Sequence, residues 1–156
     1  MLVQYLTFSI SIVFISFIVG MLLTALVRNT YFYKTTLSNL NFITSNIINQ
    51  LLGVGITKWI VKNTFFKYLN QSLKLDRKTD IERLKNIRNE MTKSEIDHLF
   101  ALLFVTLFMA IAIYNQKFIT CFFLLIFNIL MNLNPSLLQQ QNKRRIDKLL
   151  SRFEKG

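Results

Sequence analysis

A long apolar stretch near the start of the chain limits its possible folds more than any other feature. Leu2–Val27 comprises 26 residues without a Lys, Arg, Asp, Glu or His. As a helix that rises about 1.5 Å per residue, it would be roughly 39 Å long, enough to cross a hydrocarbon layer of about 30 Å. No basic residue precedes the stretch and no small-x-small cleavage pattern follows it. We therefore interpret it as a transmembrane helix rather than a cleaved secretory signal.

Two further apolar stretches, 99–114 and 118–133, predict an antiparallel helical hairpin, because only Asn115, Gln116 and Lys117 separate them. Each has 16 residues, fewer than the about 20 that a span usually needs, so a hairpin that dips into the membrane and returns is the alternative. Lys117 favours spanning, because its ammonium at the tip of a dipping hairpin would lie in hydrocarbon at a cost of about 3 kcal/mol. With 52% hydrophobic residues, 4 Gly and 1 Pro, the chain is predicted to be an all-α integral membrane protein with about three transmembrane helices and additional interfacial amphipathic helices.

The Lys and Arg residues are distributed unevenly around these stretches. Residues 28–93 hold 12 of them, the hairpin turn holds one and residues 143–155 hold six. For three spans, the positive-inside rule makes 28–98 and the C-terminal tail cytoplasmic and the N-terminus external, as in a multi-pass protein of the bacterial cytoplasmic (inner) membrane. Topology and anionic membrane lipid thus account for the net charge of +11. Since no helix-turn-helix, zinc-finger or aromatic-basic RNA pattern occurs, no nucleic acid partner is predicted.

The chain between the first span and the hairpin predicts helices at the membrane surface. Over 37–54, apolar residues recur every three to four positions among uncharged polar ones, which indicates an amphipathic helix that Gly53 and Gly55 break or bend. Over 58–74, lysines alternate with Trp59 and apolar residues, as in a helix facing lipid phosphates, although packing on the rest of the protein would give the same pattern. The single predicted membrane domain, 1–156, comprises a transmembrane helix at 2–27, interfacial helices at 37–75, a cytoplasmic helix at 76–98, the hairpin at 99–133 and a basic amphipathic tail at 136–156.

Two interpretations apply to the polar residues just before the hairpin. Thr92-Lys93-Ser94-Glu95 ahead of an apolar run has the pattern of a capping box, which predicts a helix start at Thr92. Alternatively, Glu95 and His98 share one face at the membrane mouth, where the carboxylate would orient the imidazole as a general base. A four-helix di-metal site needs two Glu-x-x-His pairs, whereas the chain has one His. No metal and no cofactor are therefore predicted.

Polar side chains also occur within and after the third apolar stretch. Asn128 and Asn132 are four residues apart and point the same way, either towards neighbouring helices or towards a cavity. Pro135 is expected to bend the chain. Seven consecutive amide or cationic side chains follow at 139–145. An anionic-lipid anchor explains the cations of this cluster but not its amides.

Taken together, the two clusters carry a recognisable pattern over about residues 90–145. A Glu-rich turn ends in Glu-x-x-His before an apolar hairpin, and Asn-x-x-Pro-x-x-x-Gln follows, then Asn and basic residues. The matching positions are Glu90, Glu95, His98, Asn132, Pro135, Gln139, Asn142, Lys143 and Arg145. The pattern resembles the glycosyl-4,4'-diaponeurosporenoate acyltransferase family, small bacterial membrane proteins of carotenoid biosynthesis, although Gln140, Gln141 and Lys143 stand where the family commonly has Arg, Tyr and Arg. This resemblance implies acyl transfer to a hydroxyl of a lipid-like or glycosylated acceptor.

Two functional hypotheses follow. In the first, a membrane-bound acyltransferase uses His98 as the base and Glu95 to orient it, Asn132 or Asn142 donates to the oxyanion, and Lys143 with Arg145 holds an anionic donor such as an acyl thioester carrier. The catalytic candidates are Glu90, Glu95 and His98, and the substrate-binding candidates are Asn128, Asn132, Gln139, Asn142, Lys143 and Arg145. In the second, a non-catalytic subunit or scaffold packs its helices against other membrane protein subunits and anionic lipid.

Overall fold

A computed structural model describes residues 2–64 and 80–153, and the elements found there are helices. Three continuous helical stretches, Leu2–Val27, Ile81–Tyr114 and Phe118–Phe153, are long and apolar enough to cross a membrane, which confirms the predicted fold class. In chain order the elements are α1 (Leu2–Val27), α2 (Tyr31–Thr35), a 3-10 turn (Leu37–Asn39), α3 (Asn46–Leu51), α4 (Val54–Asn63), α5 (Ile81–Tyr114), α6 (Phe118–Asn128), a π-helical turn (Ile129–Leu133) and α7 (Asn134–Phe153).

Helices α1, α5 and α6 pack together into the bundle that would cross the bilayer. α1 buries a stripe of mostly small side chains at three- to four-residue intervals, and its outer surface is covered by large apolar ones such as Phe14, Ile18 and Leu22. Ile12 and Val13 of α1 meet Val105 of α5 and Leu124 of α6 in the apolar centre of the bundle. A helix that buries small residues and exposes large apolar ones is typical of a protein surrounded by lipid.

The approach of α1 to α5 is closest at Gly20. A Cβ atom at this position would collide with the backbone carbonyl of Asp97, and it would lie 3.2 Å from the amide nitrogen of Ala101. The absence of a side chain therefore sets the helix separation here. It also aligns the end of α1 with the part of α5 that precedes the apolar stretch.

Helix α5 continues far beyond the apolar stretch that identifies it in the sequence. Its 34 residues correspond to roughly 51 Å, so the predicted cytoplasmic helix and the first half of the hairpin are one element. Its start is capped by Asp80, whose carboxylate accepts a hydrogen bond from the Arg83 amide at 2.8 Å. The capping box predicted at Thr92–Glu95 is wrong: Thr92 lies inside the helix and its hydroxyl donates to the Arg88 carbonyl at 2.9 Å.

The hairpin turn closes as its three-residue length predicts. Gln116 adopts a left-handed conformation with φ 57°, and the Lys117 amide donates to the Ala112 carbonyl at 2.8 Å, which satisfies orphan carbonyls at the end of α5. Lys117 itself is exposed. Its ammonium therefore lies at the end of the bundle opposite to residues 81–98.

Pro135 does not divide the third long helix into two separate ones. The helix passes from α6 through the π-helical turn into α7, and Pro135 lies in the first turn of α7. Because proline has no amide hydrogen and its ring displaces the preceding turn, one wider turn absorbs the mismatch. The Asn134 amide accordingly donates to the Ile129 carbonyl, five residues back.

The segment after α1 is less regular than the predicted stripe over 37–54. It contains the 3-10 turn, extended residues and two short helices. Ser45 caps α3 by accepting from the Ile48 amide at 3.4 Å, and Gly53, with φ 81°, ends α3 and begins α4. Gly55 instead lies within α4. Trp59 is exposed there, while the remainder of the predicted interfacial region, 65–75, lies outside the described residues.

Candidate active site

A chain of oriented amides runs through the bundle between α5, the π-helical turn and α1. The Asn128 Nδ2 donates to the Leu102 carbonyl at 3.2 Å, and the Asn128 Oδ1 accepts from Asn132 Nδ2 at 2.8 Å. Asn132 Nδ2 also donates to Ser16 Oγ at 3.4 Å, while the Ser16 hydroxyl donates to the Val13 carbonyl at 2.6 Å. Because each partner already donates elsewhere, the orientation of the Asn132 amide is fixed: Nδ2 faces Asn128 and Ser16, and Oδ1 faces away from them.

The Asn132 side chain lies within reach of the His98 ring. Asn132 is fully buried, and its Oδ1 has no hydrogen-bond partner among the described residues. The same is true of His98 Nδ1. The ring of His98 packs edge-on against Phe17 of α1, with 5.7 Å between the ring centroids, and the residue as a whole is half-buried. The imidazole therefore lies near the amide chain, and the residue is only partly shielded from its surroundings.

These contacts change the role predicted for Asn132. Its two amide hydrogens are both engaged, so they are not available to an oxyanion as predicted, and its remaining capacity is as an acceptor. An acceptor beside an imidazole fixes which ring nitrogen carries the hydrogen. Asn132 is thus placed to orient His98.

The Glu95 carboxylate binds two side chains of α7 and makes no hydrogen bond to His98. Its Oε2 accepts from Lys143 Nζ at 2.6 Å and its Oε1 accepts from Gln140 Nε2 at 2.8 Å. Glu95 and Gln140 are fully buried, and Lys143 is 3% exposed. The orienting contact predicted between Glu95 and His98 therefore goes to Lys143 and Gln140 instead. Lys143, predicted to hold an anionic donor, already has a carboxylate as its partner.

A strap formed by residues 38–43 lies over this ion pair. The Lys143 ammonium also donates to the Ser38 carbonyl at 3.2 Å, and Arg144 donates to Asn41 Oδ1 and to the Ile43 carbonyl. Arg88 of α5 donates to Asn39 and to Asp147 of α7. Uncharged polar residues predicted to form an amphipathic helix thus accept hydrogen bonds from cations, and in doing so they close the ion pair off from solvent.

Tyr33 of α2 also belongs to this end of the bundle. Partial burial raises the pKa of Tyr33, and the nearby carboxylates of Asp97 and Glu95 raise it further, against a smaller opposite effect of Arg28. Nothing in the local sequence around Tyr33 indicates that it lies near Glu95. The contact depends on the chain turning back after α1.

Buried polar atoms without a protein partner are concentrated at this level of the bundle. In the described part of the chain there are ten, and folded proteins usually leave only a few. They belong to Thr24, Asn49, Asp97, His98, Asn132, Asn134, Ser136, Gln139 and Gln140. Such a concentration is typical of a site that binds water or a polar ligand.

Asn142 and Arg145 lie apart from His98. They line a cavity of about 240 Å³ between α4, α5 and α7, together with Lys58 and Lys62. Asn142 follows Asn132 by ten residues along the continuous helix formed by the π-helical turn and α7, which corresponds to about 15 Å. Asn142 and His98 are therefore too far apart to act on one carbonyl group.

The remaining predicted site residues, Gln139 and Glu90, differ in burial. Gln139 is half-buried, with its Oε1 among the buried atoms that lack a partner in the described residues. Glu90 is exposed on α5, and its catalytic role stays a prediction. A larger cavity of about 610 Å³ lies at the opposite end of the bundle, beside Tyr5, Phe108 and Lys117. None of the predicted site residues lines it.

Comparison with known proteins identifies the family. The family model CrtO, described as glycosyl-4,4'-diaponeurosporenoate acyltransferase, matches residues 28–152. The match extends well beyond the region 90–145 on which the resemblance rested, and it includes the strap, α4 and the cavity. No match is found among curated proteins or solved structures. The chain belongs to the glycosyl-4,4'-diaponeurosporenoate acyltransferase family and is a membrane protein of acyltransferase type.

Proposed function

We propose that this protein transfers an acyl group to a hydroxyl of a glycosylated, lipid-like acceptor, with His98 as the base and Asn132 as the positioning residue. The observation that carries the proposal is the direction of the amide chain. It leaves an acceptor oxygen on Asn132 near the His98 ring, and neither this oxygen nor His98 Nδ1 has a hydrogen-bond partner in the described part of the chain. A hydrogen on Nδ1 would face Asn132 Oδ1 and leave the lone pair on Nε2 for substrate.

The reaction uses this pair in two steps. Nε2 takes the proton of the acceptor hydroxyl as its oxygen forms a bond to the acyl carbonyl carbon, which gives a tetrahedral oxyanion and an imidazolium. The tetrahedral species then collapses, the bond from the carbonyl carbon to the donor heteroatom breaks, and the leaving group receives the proton from Nε2. The imidazolium is stabilised in between by the Asn132 oxygen. A Cys–His–Asn arrangement in other acyl-transfer enzymes shows that an amide can serve this purpose.

The bundle suits a lipid-like acceptor. His98 lies at the depth of Phe17, within the length of α1 that would cross the membrane. Large apolar side chains cover the outside of the helices around it. A glycoside with a hydrocarbon tail would therefore keep the tail in lipid while a sugar hydroxyl reaches the half-buried imidazole.

The test uses cells that make glycosyl-4,4'-diaponeurosporenoate, the acceptor named by the family, together with mass analysis of their pigment extract. The unaltered protein is expected to add one acyl group. His98→Gln is expected to lower the product by about 10²–10⁴-fold, and Asn132→Leu by a smaller factor, with a changed pH profile in membranes because the orienting acceptor is gone. Ser16→Ala is the matched control, since it removes a different partner of the same amide. Normal product from His98→Gln at normal protein level would overturn the proposal.

We also propose that the end of the bundle carrying residues 28–98 and 143–155 faces the cytoplasm of a bacterial inner membrane. The support is the count of cations along the sequence, in which residues 28–93 and 143–155 hold 18 Lys and Arg and the hairpin turn holds only Lys117. Single cysteines at Glu82 and Lys117 in a Cys121→Ser background are expected to react with a membrane-impermeant thiol reagent from opposite sides. Labelling of both positions from outside intact cells would contradict this orientation.

A non-catalytic subunit remains the other hypothesis, and the same cells distinguish it. It predicts a stoichiometric protein partner on purification and an unchanged acyl profile after deletion. Acylation that depends on His98 would exclude it.

A further inference from the structure

The cavity beside Asn142 and Arg145 brings together cations that are distant in the sequence. Lys58 and Lys62 lie one turn apart on α4 and meet Arg145 of α7 across a volume of about 240 Å³. The Asn142 amide adds a neutral hydrogen-bond donor. These four residues supply donors but no carboxylate, which is the composition expected around phosphate oxygens.

More than half of the residues that line this cavity are apolar. They are Val61, Ile87, Met91, Leu138 and Ile146, and Ile87, Met91 and Ile146 belong to a buried apolar cluster between α5 and α7. A site for a free inorganic ion does not need such a lining. Cations combined with apolar side chains instead fit a molecule that carries phosphate at one end and organic groups beside it.

The distance from this cavity to His98 limits the length of that molecule. Ile87, Met91 and His98 follow one another on the same face of α5 at spacings of four and seven residues. Along the helix, Ile87 and His98 are about 16 Å apart. In a phospholipid the ester carbonyl is only a few bonds from the phosphate, whereas in an acyl-coenzyme A the pantetheine arm puts many bonds between them.

We propose that Lys58, Lys62, Arg145 and Asn142 bind the phosphate groups of an acyl donor of the acyl-coenzyme A type, whose pantetheine arm follows the Ile87–Met91 face of α5 towards His98. The inference rests on the proposed function, because it assigns the donor of that reaction. The thiol of coenzyme A would be the leaving group that receives the proton from His98. Lys143 takes no part, since its ammonium is bound to Glu95.

Binding of coenzyme A to the purified protein in nanodiscs tests the proposal without requiring turnover. Lys58→Gln/Lys62→Gln is expected to weaken binding on the order of tenfold or more, since two charge-assisted hydrogen bonds are lost. The matched control is Lys85→Gln/Lys148→Gln, which removes the same charge from exposed positions outside the cavity. Equal weakening in both double variants would overturn the proposal, because it would show attraction by net charge alone.

A second experiment distinguishes coenzyme A from a phospholipid headgroup as the source of the bound phosphate. Nanodiscs of phosphatidylcholine and of phosphatidylglycerol are compared, with native mass spectrometry of retained lipid. Retention of phosphatidylglycerol that is lost in Lys58→Gln/Lys62→Gln, without coenzyme A binding, would overturn the thioester assignment in favour of a phospholipid.

The result also separates this inference from the proposed function. Cavity-dependent coenzyme A binding with no acylated product would leave the inference standing and remove the function. Acylated product that depends on His98 but is formed at the same rate by Lys58→Gln/Lys62→Gln would support the proposed function and overturn the inference about the donor.

Discussion

The buried ion pair of Glu95 and Lys143 gives the most quantitative test of the structure. Lys143→Met keeps an unbranched side chain only one atom shorter but removes its charge. The carboxylate of Glu95, which is fully buried, would then keep only the hydrogen bond from Gln140 at 2.8 Å. The perturbation therefore leaves an anion in an apolar environment without its counterion.

The size of the effect follows from two opposing quantities. At 2.6 Å and an effective dielectric constant of about 20, the attraction between the charges is about 6 kcal/mol. Removing both ions from water costs several kcal/mol each, so the intact pair contributes little net free energy. Loss of one partner removes the attraction but not the burial of the other ion. We expect Lys143→Met to lower the free energy of unfolding by about 3–5 kcal/mol, which corresponds to a fall in Tm of roughly 6–20 °C.

Thermal unfolding of the detergent-solubilised protein, followed by the fluorescence of its single tryptophan, Trp59, measures this change. Glu95→Gln/Lys143→Met is expected to recover most of the loss, because the amide is neutral and still accepts from Gln140. Lys93→Met is the matched control, since it removes the same charge on α5, one turn from Asp97, and breaks a pair in which Lys93 is 46% exposed. Such a pair contributes less than about 1 kcal/mol. Equal shifts of Tm in Lys143→Met and Lys93→Met would show that Glu95 and Lys143 do not form a buried pair. That result would contradict the packing of α7 on α5 described above.

Two further measurements test the surroundings of the site. Gly20→Val is expected to lower Tm by several degrees, because its side chain would collide with the Asp97 carbonyl. Gly55→Ala is the control: its Cβ meets open space, and the change is expected to be neutral or stabilising by up to about 1 kcal/mol. Equal effects of the two variants would show that α1 does not approach α5 at Gly20. Asp97→Asn is expected to lower the pKa of Tyr33 towards its ordinary value, so that its tyrosinate absorbance, obtained by difference from Tyr33→Phe, rises at lower pH than in the unaltered protein. Because the folded pKa is raised, Tyr33 contributes stability below the ordinary tyrosine pKa and loses it as pH rises through the folded value, and an unchanged titration in Asp97→Asn would separate Tyr33 from the carboxylates.

The transmembrane architecture was predictable because hydrocarbon tolerates few sequences. A stretch of 26 residues without charge and a three-residue turn between two apolar stretches leave few alternatives to three helices. The 16-residue length of the stretch 99–114 underestimates the helix that contains it. Composition shows where charged residues begin, but a helix can continue through them. α5 continues to Ile81, with Glu95 and His98 inside it.

Contacts distant in the sequence explain what was not predictable. Thr92–Glu95 satisfies the local pattern of a capping box, but Glu95 finds stronger partners 45 and 48 residues away, in Gln140 and Lys143. The true helix start at Asp80 has an ordinary capping residue. The sequence places Gln140 in the polar cluster at 139–145 but gives no indication that it binds Glu95. A signal was present, however, since Asn132, Ser136, Gln140 and Lys143 recur at spacings of four, four and three on an otherwise apolar helix and hence share one face.

The same spacing explains why stability and chemistry meet at this face. Polar groups inside a membrane bundle are costly unless they find partners, and in the lower part of this stripe Gln140 Nε2 and Lys143 Nζ find one in Glu95. The upper part does so through Asn128 and Ser16, which use the hydrogens of Asn132 and leave its oxygen. That unmatched acceptor lies near the only histidine of the chain, and Ser136 Oγ and Gln140 Oε1 on the same stripe also lack a partner among the described residues. Asn132 Oδ1 and His98 Nδ1 are both unmatched among the described residues, so the proposed substrate would complete the hydrogen bonding there.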